Sequence, residues 1–336
     1  MSWLVQPRLV NGPFDDPALY VDFRFGRRAI LFDLGEVSAL SSRELLRVSH
    51  VFVSHTHLDH FAGFDLLLRL CLHRAEPLHL FGPAGFADRV AQKLGGYTWN
   101  LLDQNSPDFV MTASEFSDGG IARTAAFRAR EAFRRQEIEP PALPSGLLLR
   151  EEEFCIDAAI LDHGIPCLAF ALQERVRVNV WKEGLATLTL PVGPWLNVAK
   201  AAARRGEPDD FSVDVPGGIL TLGHLKERAL RIAPGQRLVY VTDAAGHDAN
   251  VEKIVALARG ANQLFIEAAF LHEDEALARQ NHHLTAAMAG RVAREAGAAR
   301  VTPFHFSARY LDREEDLRRE VLDAGAGDGI GSQAMA

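Results

Sequence analysis

The spacing of apolar residues along the chain changes several times, and each change marks an element. Through the first fifty-five residues, short β-branched or apolar runs alternate with polar breaks: LVQPRLV, ALYVDFRF, a turn at Gly26-Arg27-Arg28, AILFDLG and HVFVSH. That pattern predicts a sheet. In FAGFDLLLRLCLHRA the apolar residues recur at helical spacing until Pro77 stops them, LHLFGP returns to strand, and FADRVAQKLGGY predicts a second helix ended by Gly95-Gly96. FVMTASEF, ARTAAFRAREAF, GLLLREEEFCIDAAIL and PCLAFAL read as strands around a loop marked by Pro140, Pro141 and Pro144. RLVYVTDA, QLFIEAAF and RVTPFHF are further strands, while VEKIVALARGA, LTAAMAGRVAREAGA and DREEDLRREVLDA are helices. Strands alternating with helices in this way predict α/β layers.

Residues 174–206 have a different character, with six Lys or Arg against two Glu and a Gly-Pro-Trp turn. They read either as a solvated surface loop and helix or as an insertion that touches an acidic partner. The Gly-rich end, within 322–336, predicts a flexible tail. The chain has 336 residues, a net charge of −8 and 24% charged residues, which excludes disorder, collagen and coiled coil. The acidic balance argues against a protein that coats nucleic acid nonspecifically. No apolar run approaches the roughly 20 residues that span a bilayer, and the N-terminal segment lacks the basic start and apolar core of a signal peptide; a cytoplasmic location is expected. Cys71, Cys155 and Cys167 form no CxxC pair and cannot pair off evenly, so they are read as small apolar residues rather than thiolate ligands.

Ser54-His55-Thr56-His57-Leu58-Asp59-His60 places three imidazoles and a carboxylate in six residues, directly after an apolar strand. Where a strand ends the chain turns sharply, so His55 and His57 can point one way while Asp59 and His60 face a second position. Imidazole and carboxylate suit zinc, and also iron or manganese as oxygen donors increase.

The HxHxDH run resembles the signature of the metallo-β-lactamase fold, a four-layered αβ/βα sandwich that binds one or two metals at the edge of its facing sheets. The resemblance implies later ligands at strand ends: His163 in LDHGIP, Asp243 after LVYVT, and His305 in TPFHFS. It thus implies two divalent ions, Zn²⁺ with Mn²⁺ or Fe as alternatives, with His55, His57 and His163 on one, Asp59, His60 and His305 on the other, and Asp243 bridging. A hydroxide bridging them is the expected nucleophile, and Asp59 is counted with the catalytic residues.

Residues 29–312 are similar more narrowly to RNase Z, the endonuclease family that trims the 3′ end of precursor tRNA. The stretch IEAAFLHEDEALARQNHHLTAAMAGRVAREAGAARVTPFHFSARY is similar to that family's HEATF, H-x-T-A and H-x-S-x-R-Y motifs. The resemblance implies a Glu267–His283 pair that protonates the leaving oxygen, with His282 as the neighbouring alternative. Ser307 and Arg309 are expected to bind phosphate or to hold the His305 loop. Gly82-Pro83-Ala84-Gly85 resembles the family's GPxG turn. PVGPWL at 191–196, followed by Lys200, Arg204 and Arg205, resembles a tRNA-gripping arm, placed at 174–212 within a hydrolase domain of 1–321. The fourth motif reads Val241-Thr242-Asp243-Ala244-Ala245-Gly246-His247, where the family usually has Gly-Asp-Thr. The expected activity is therefore tRNA 3′ trailer removal, with a small or cyclic phosphodiester, or another ester, as the alternative substrate. The resemblance also implies a homodimer.

Overall fold

The computed structural model describes residues 3–24 and 26–326. Its first sheet is built in chain order, β1-β2-β3-β4-β5-β6-β7-β8, from Val5–Leu9, Leu19–Phe23, Ala29–Phe32, Val48–Phe52, Leu78–Pro83, Val110–Ser117, Gly120–Arg128 and Arg135–Ile138. Strands β3 to β6 run parallel. Because helices cover one face and a second sheet the other, these strands are apolar almost continuously: all four residues of β3 and four of five in β4 are buried. The edge strand β1 instead alternates buried, exposed and half-buried positions. Helices α1 (Ser42–Leu45), α2 (Leu58–Phe61), α3 (Phe64–Cys71) and α4 (Phe86–Gly95) fill the connections. In α3 the residues at i, i+3, i+4 and i+7, Phe64, Leu67, Leu68 and Cys71, are the buried ones, each of the larger side chains contributing about 1.5–3 kcal/mol relative to exposure.

Strands β9 (Leu147–Arg150), β10 (Phe154–Asp162) and β11 (Pro166–Glu174) open the second sheet, which is completed by β16 (Arg237–Val241), β17 (Gln263–Glu267) and β18 (Val301–Phe304) in the order β18-β17-β16-β11-β10-β9. Between β11 and β16 the chain forms β12 (Val176–Val180), α5 (Lys182–Thr187), α6 (Trp195–Arg205), β13 (Ser212–Val215), β14 (Gly218–Thr221), α7 (Leu222–Arg228) and β15 (Leu230–Pro234). After β16 come α8 (Asp248–Ala258), α9 (Glu275–Gln280), α10 (Ala286–Ala296) and α11 (Glu314–Ala326).

The chain divides into two compact units. The larger holds most of both main sheets; the smaller gathers Arg150–Cys155 and Leu172–Gln236 with Trp3 and Leu4. In the larger unit aromatic rings form the slab between the sheets: Phe32 stacks on Phe170 at 5.4 Å and on Tyr240 at 5.8 Å, and Tyr240 on Phe304 at 5.2 Å. One apolar cluster packs α3 and α4 on the outer face of the first sheet, and another packs α8, α10 and α11 on the second. Helix, sheet, sheet, helix gives the four layers expected from the resemblance.

The smaller unit has its own core of Val178, Leu185, Trp195, Leu196, Val213, Leu222, Leu225 and Leu230. Its sheet pairs β12 with β15, Val176 opposite Pro234 and Val180 opposite Leu230. This body extends to Gln236, past the 174–212 span that the resemblance implied for the arm, because the partner strand of β12 lies beyond residue 229. At the other end α11 continues through Ala326, so 322–326 are helical rather than tail; the rest of the expected tail lies outside the described residues. Among the described residues no helix is long and apolar enough to cross a membrane.

Candidate metal centre

Strands β3, β4, β10, β16, β17 and β18 all end toward one edge of the sandwich, and the loops leaving them carry the polar residues. The β4 loop is seated by Gly35: a Cβ there would lie 2.2 Å from the Asp59 carbonyl and 2.7 Å from that of Pro17. Only glycine admits that approach of backbone to backbone. The loop then enters α2, whose first turn presents Asp59 and His60, while His55 and His57 precede it.

Around this edge the seven expected ligands form two overlapping groups. Asp243 Oδ2 lies 3.7 Å from His55 Nε2 and 3.3 Å from His163 Nε2, and His57 completes the set. Asp243 Oδ1 faces the other side, 3.4 Å from His60 Nε2 and 3.2 Å from His305 Nδ1. Asp59 Oδ2 is 3.3 Å from His60 Nε2, and it lies 3.3 Å from the second ring nitrogen of His305, Nε2, within hydrogen-bond reach. Ligands bound at about 2.0–2.1 Å in a tetrahedron sit roughly 3.3 Å apart, so these spacings fit neighbours around one ion. Among the described residues, the buried atoms His55 Nε2, His60 Nε2 and His305 Nδ1 have no hydrogen-bond partner. Buried polar atoms are rarely left so, and a divalent ion is the partner this donor set fits.

The other ring nitrogens are held from behind, which fixes the inward tautomer. His163 Nδ1–H donates to the His282 carbonyl at 2.8 Å. His60 Nδ1–H donates to Asp33 Oδ2 at 2.9 Å, and His55 Nδ1 meets Ser54 Oγ at 3.1 Å. Asp33 escaped the sequence reading. Fully buried, it also accepts from Ser54 N–H at 2.6 Å, Ser54 Oγ–H at 2.9 Å and Tyr240 O–H at 2.9 Å. Its only sequence signal is an acidic residue at the end of an apolar strand, AILFD. Asp33, His282 and His305 all have positive φ, 57°, 59° and 57°, an arrangement that costs non-glycine residues energy and clusters at functional sites.

Electrostatics follow burial and neighbours. Burial, then His60, pushes His55 down to about 2, which keeps it as the neutral imidazole that binds metal. Asp243 is held well below the usual carboxylate range: burial opposes its charge, but His305 and His60 outweigh it.

Beside this cluster His283 Nδ1–H donates to Glu267 Oε2 at 2.7 Å. Glu267 is fully buried, and its other oxygen accepts from Ala244 N–H at 2.7 Å and Leu284 N–H at 3.3 Å. Burial disfavours a charged His283, but the Glu267 carboxylate prevails and raises it to about 9. The His283 ring lies 4.9 Å from that of His163 and 5.6 Å from that of His305. It does not cap α10; Thr285 does, its hydroxyl accepting from Met288 N–H at 3.2 Å. His282 is exposed and contributes its carbonyl rather than its ring to the centre.

The expected substrate residues are occupied within the fold. Ser307 Oγ accepts from Arg309 N–H at 3.3 Å, and Arg309 Nε–H donates to Asp274 at 3.3 Å, so both brace the turn after His305. In the smaller unit Arg204 pairs with Glu153 at 3.0 Å, and Arg205 with Glu152 at 3.3 Å and Glu207 at 3.1 Å. Lys200 is half-buried and its pKa is lowered by burial, with Arg204 adding to the effect.

Layers and site together define a hydrolase of the metallo-β-lactamase fold. Residues 220–306 match the model of the beta-lactamase superfamily domain. Solved structures agree on the fold: a metallo-beta-lactamase fold protein of Bacillus subtilis superposes with a TM-score of 0.53 at 15% identity, covering 94% of this chain and 91% of that one. The short form of human tRNase Z superposes at 0.51 with 19% identity, covering 90% and 93%. Ribonuclease Z of Deinococcus radiodurans is 33% identical over 96% of this chain and 95% of its own length, and that of Brevibacillus brevis 27% over 88% and 81%. The chain belongs to the ribonuclease Z family, metal-dependent hydrolases that act as endoribonucleases.

Proposed function

We propose that this chain removes the 3′ trailer of precursor tRNA by hydrolysing one phosphodiester at the Asp243 centre. In this reading His55, His57 and His163 would hold one divalent ion and Asp59, His60 and His305 a second, with Asp243 contributing a carboxylate oxygen to each, zinc being the metal that a histidine-rich set favours. When bound, such ions supply Lewis acidity toward phosphate oxygens and a water of lowered pKa. The chain's own residues do the rest. Water gives up one proton to solvent and adds at phosphorus as hydroxide, the P–O bond opposite breaks, and the departing alkoxide takes a proton from the imidazolium of His283, whose other nitrogen is anchored on Glu267 and which solvent then reprotonates. The observation that carries this reading is the His283–Glu267 pair, 2.7 Å long, beside the ligand cluster: expulsion of an alkoxide is what needs a positioned acid. Exposed basic side chains of the smaller unit supply backbone contacts to the tRNA. A homodimer working in the cytoplasm completes the reading and is checked by sedimentation and cell fractionation.

The test is to incubate the purified protein with a 3′-extended precursor tRNA and, separately, with bis-p-nitrophenyl phosphate, with and without zinc. Metal-dependent release of a discrete trailer supports the reading. Hydrolysis of the small diester alone supports the second reading, an enzyme for small phosphodiesters, which the intramolecular ion pairs of Arg204 and Arg205 favour. Elemental analysis should find two ions per chain, and Asp59→Ala should lose one while keeping the other.

A further inference from the structure

Next to the metal centre the larger unit contains a cavity of about 780 Å³, within the size range of ligand pockets. His283 is part of its wall. If His283 protonates the departing oxygen, the nucleotide that carries this oxygen must lie on the His283 side. We propose that the cavity is a nucleotide subsite, receiving the unpaired base of that nucleotide stacked on the face of the His247 ring; the inference rests on the RNA-cleaving reading above.

His247 has the build of a stacking platform rather than of an acid or a phosphate ligand. Its Nε2–H donates to Asp162 Oδ2 at 3.2 Å, and its Nδ1 accepts from Asn250 N–H at 3.3 Å. Both nitrogens are thereby committed inside the protein, yet the side chain is 45% exposed. The ring face is the part left to offer. A fixed flat ring of this kind suits unpaired bases, which stack on His as on other aromatic side chains.

The platform is anchored below by Asn250, which is buried. Asn250 Nδ2–H₂ donates to the carbonyls of Asp162 at 2.7 Å and Ala245 at 2.9 Å, and its Oδ1 accepts from Asp162 N–H at 2.9 Å. The loop 244–247, where the fourth motif departs from Gly-Asp-Thr, is thus pinned to the strand end that carries His163. Ala245, Ala278, Ala287 and Met288 give the cavity apolar walls, and a Cβ at Gly246 would meet Met288 Sδ at 2.5 Å. Apolar side chains of this kind pack against the faces of a base, whose edges carry its hydrogen-bonding groups. At the rim Arg279 is already paired with Glu275 at 3.3 Å, whereas Arg291 is exposed and has no ion pair among the described residues. A guanidinium there matches the phosphate that flanks a bound nucleoside.

The experiment compares kcat/KM on two 3′-extended precursor tRNAs, one intact and one with an abasic ribose at the nucleotide bearing the leaving oxygen. Zinc-loaded wild-type protein should lose about 5- to 150-fold on the abasic substrate, the range that one base–aromatic stack spans. His247→Ala should bring the intact substrate down by a similar factor and make the abasic change nearly silent. His247→Phe, which keeps the flat face and loses both nitrogens, should retain most of the discrimination. Equal cleavage of both substrates by wild-type protein overturns the inference without the help of any variant, and so does a full abasic penalty in His247→Ala or its disappearance in His247→Phe. Failure to cleave the intact precursor overturns the RNA-cleaving reading itself, and the two failures are therefore distinct.

Discussion

At the scale of single residues, two side chains separate chemistry from scaffold. His283→Ala should lower the rate on precursor tRNA by about 10²–10⁴. The loss with bis-p-nitrophenyl phosphate should be far smaller, because p-nitrophenolate departs without a proton. Parallel kinetics with both substrates, with metal content measured on the same sample, decide it; equal losses would make His283 a structural residue. Asp33→Asn tests the opposite kind of role. The carboxylate touches no expected substrate, but it fixes the His60 ring and draws in Ser54 and Tyr240. Its replacement should weaken metal binding by about 10–100-fold, read by competition with a chelator, with little change in the rate of fully loaded enzyme. His55 to His60 could be read from the sequence because those ligands lie within six residues. Asp33 could not: its partners are 21, 27 and 207 positions away, and nothing local distinguishes it from any acidic residue that ends a strand.

At the scale of elements, the loop that carries His283 is tied to a helix start. Thr285 caps α10 two residues after His283, and is itself fully buried. Thr285→Ala should therefore cost about 0.5–2 kcal/mol in urea unfolding of the metal-loaded protein, the range of a lost N-cap. Most of the main elements were legible because their apolar period is set by the layer they pack against, as in α3 and β4. The elements that escaped include α1, β8, β12, α5, the β13–β14 hairpin, α7, β15 and α9. They are short, and β12, α5, the hairpin, α7 and β15 belong to a small core whose members come together only across the long stretch between β12 and β15. A strand such as LRIAP, with only Leu230 buried, has no pattern of its own; it is defined by the partner that it meets.

At the scale of the whole molecule, the smaller unit offers a clean excision. Glu174 N–H donates to the Gln236 carbonyl at 2.8 Å, and Gln236 N–H donates back to Glu174 Oε2 at 2.9 Å. The two ends are thus held together where the segment leaves and rejoins the chain. Replacing Arg175–Gly235 with a short Gly-Ser linker should raise KM for precursor tRNA steeply while small-diester hydrolysis continues. The salt slope of tRNA binding should also flatten by about 0.7–0.9 per phosphate contact removed. Cutting only 174–206 should instead give insoluble protein, because it strips β12 and α6 from the core they share with α7 and β15. Gel filtration and binding titrations at several salt concentrations separate these outcomes. The order of the ligands has a last consequence, for the protein while it is being made. A ribosome delivers His55, His57, Asp59 and His60 early and His305 last, and at about 5–20 residues per second the interval is roughly 10–50 seconds. Throughout that interval Asp243, and then His305, are missing, so a half-synthesised chain has no complete nuclease centre. On the proposed ligand assignment, a nascent chain should therefore cleave no RNA until His305 has left the ribosome.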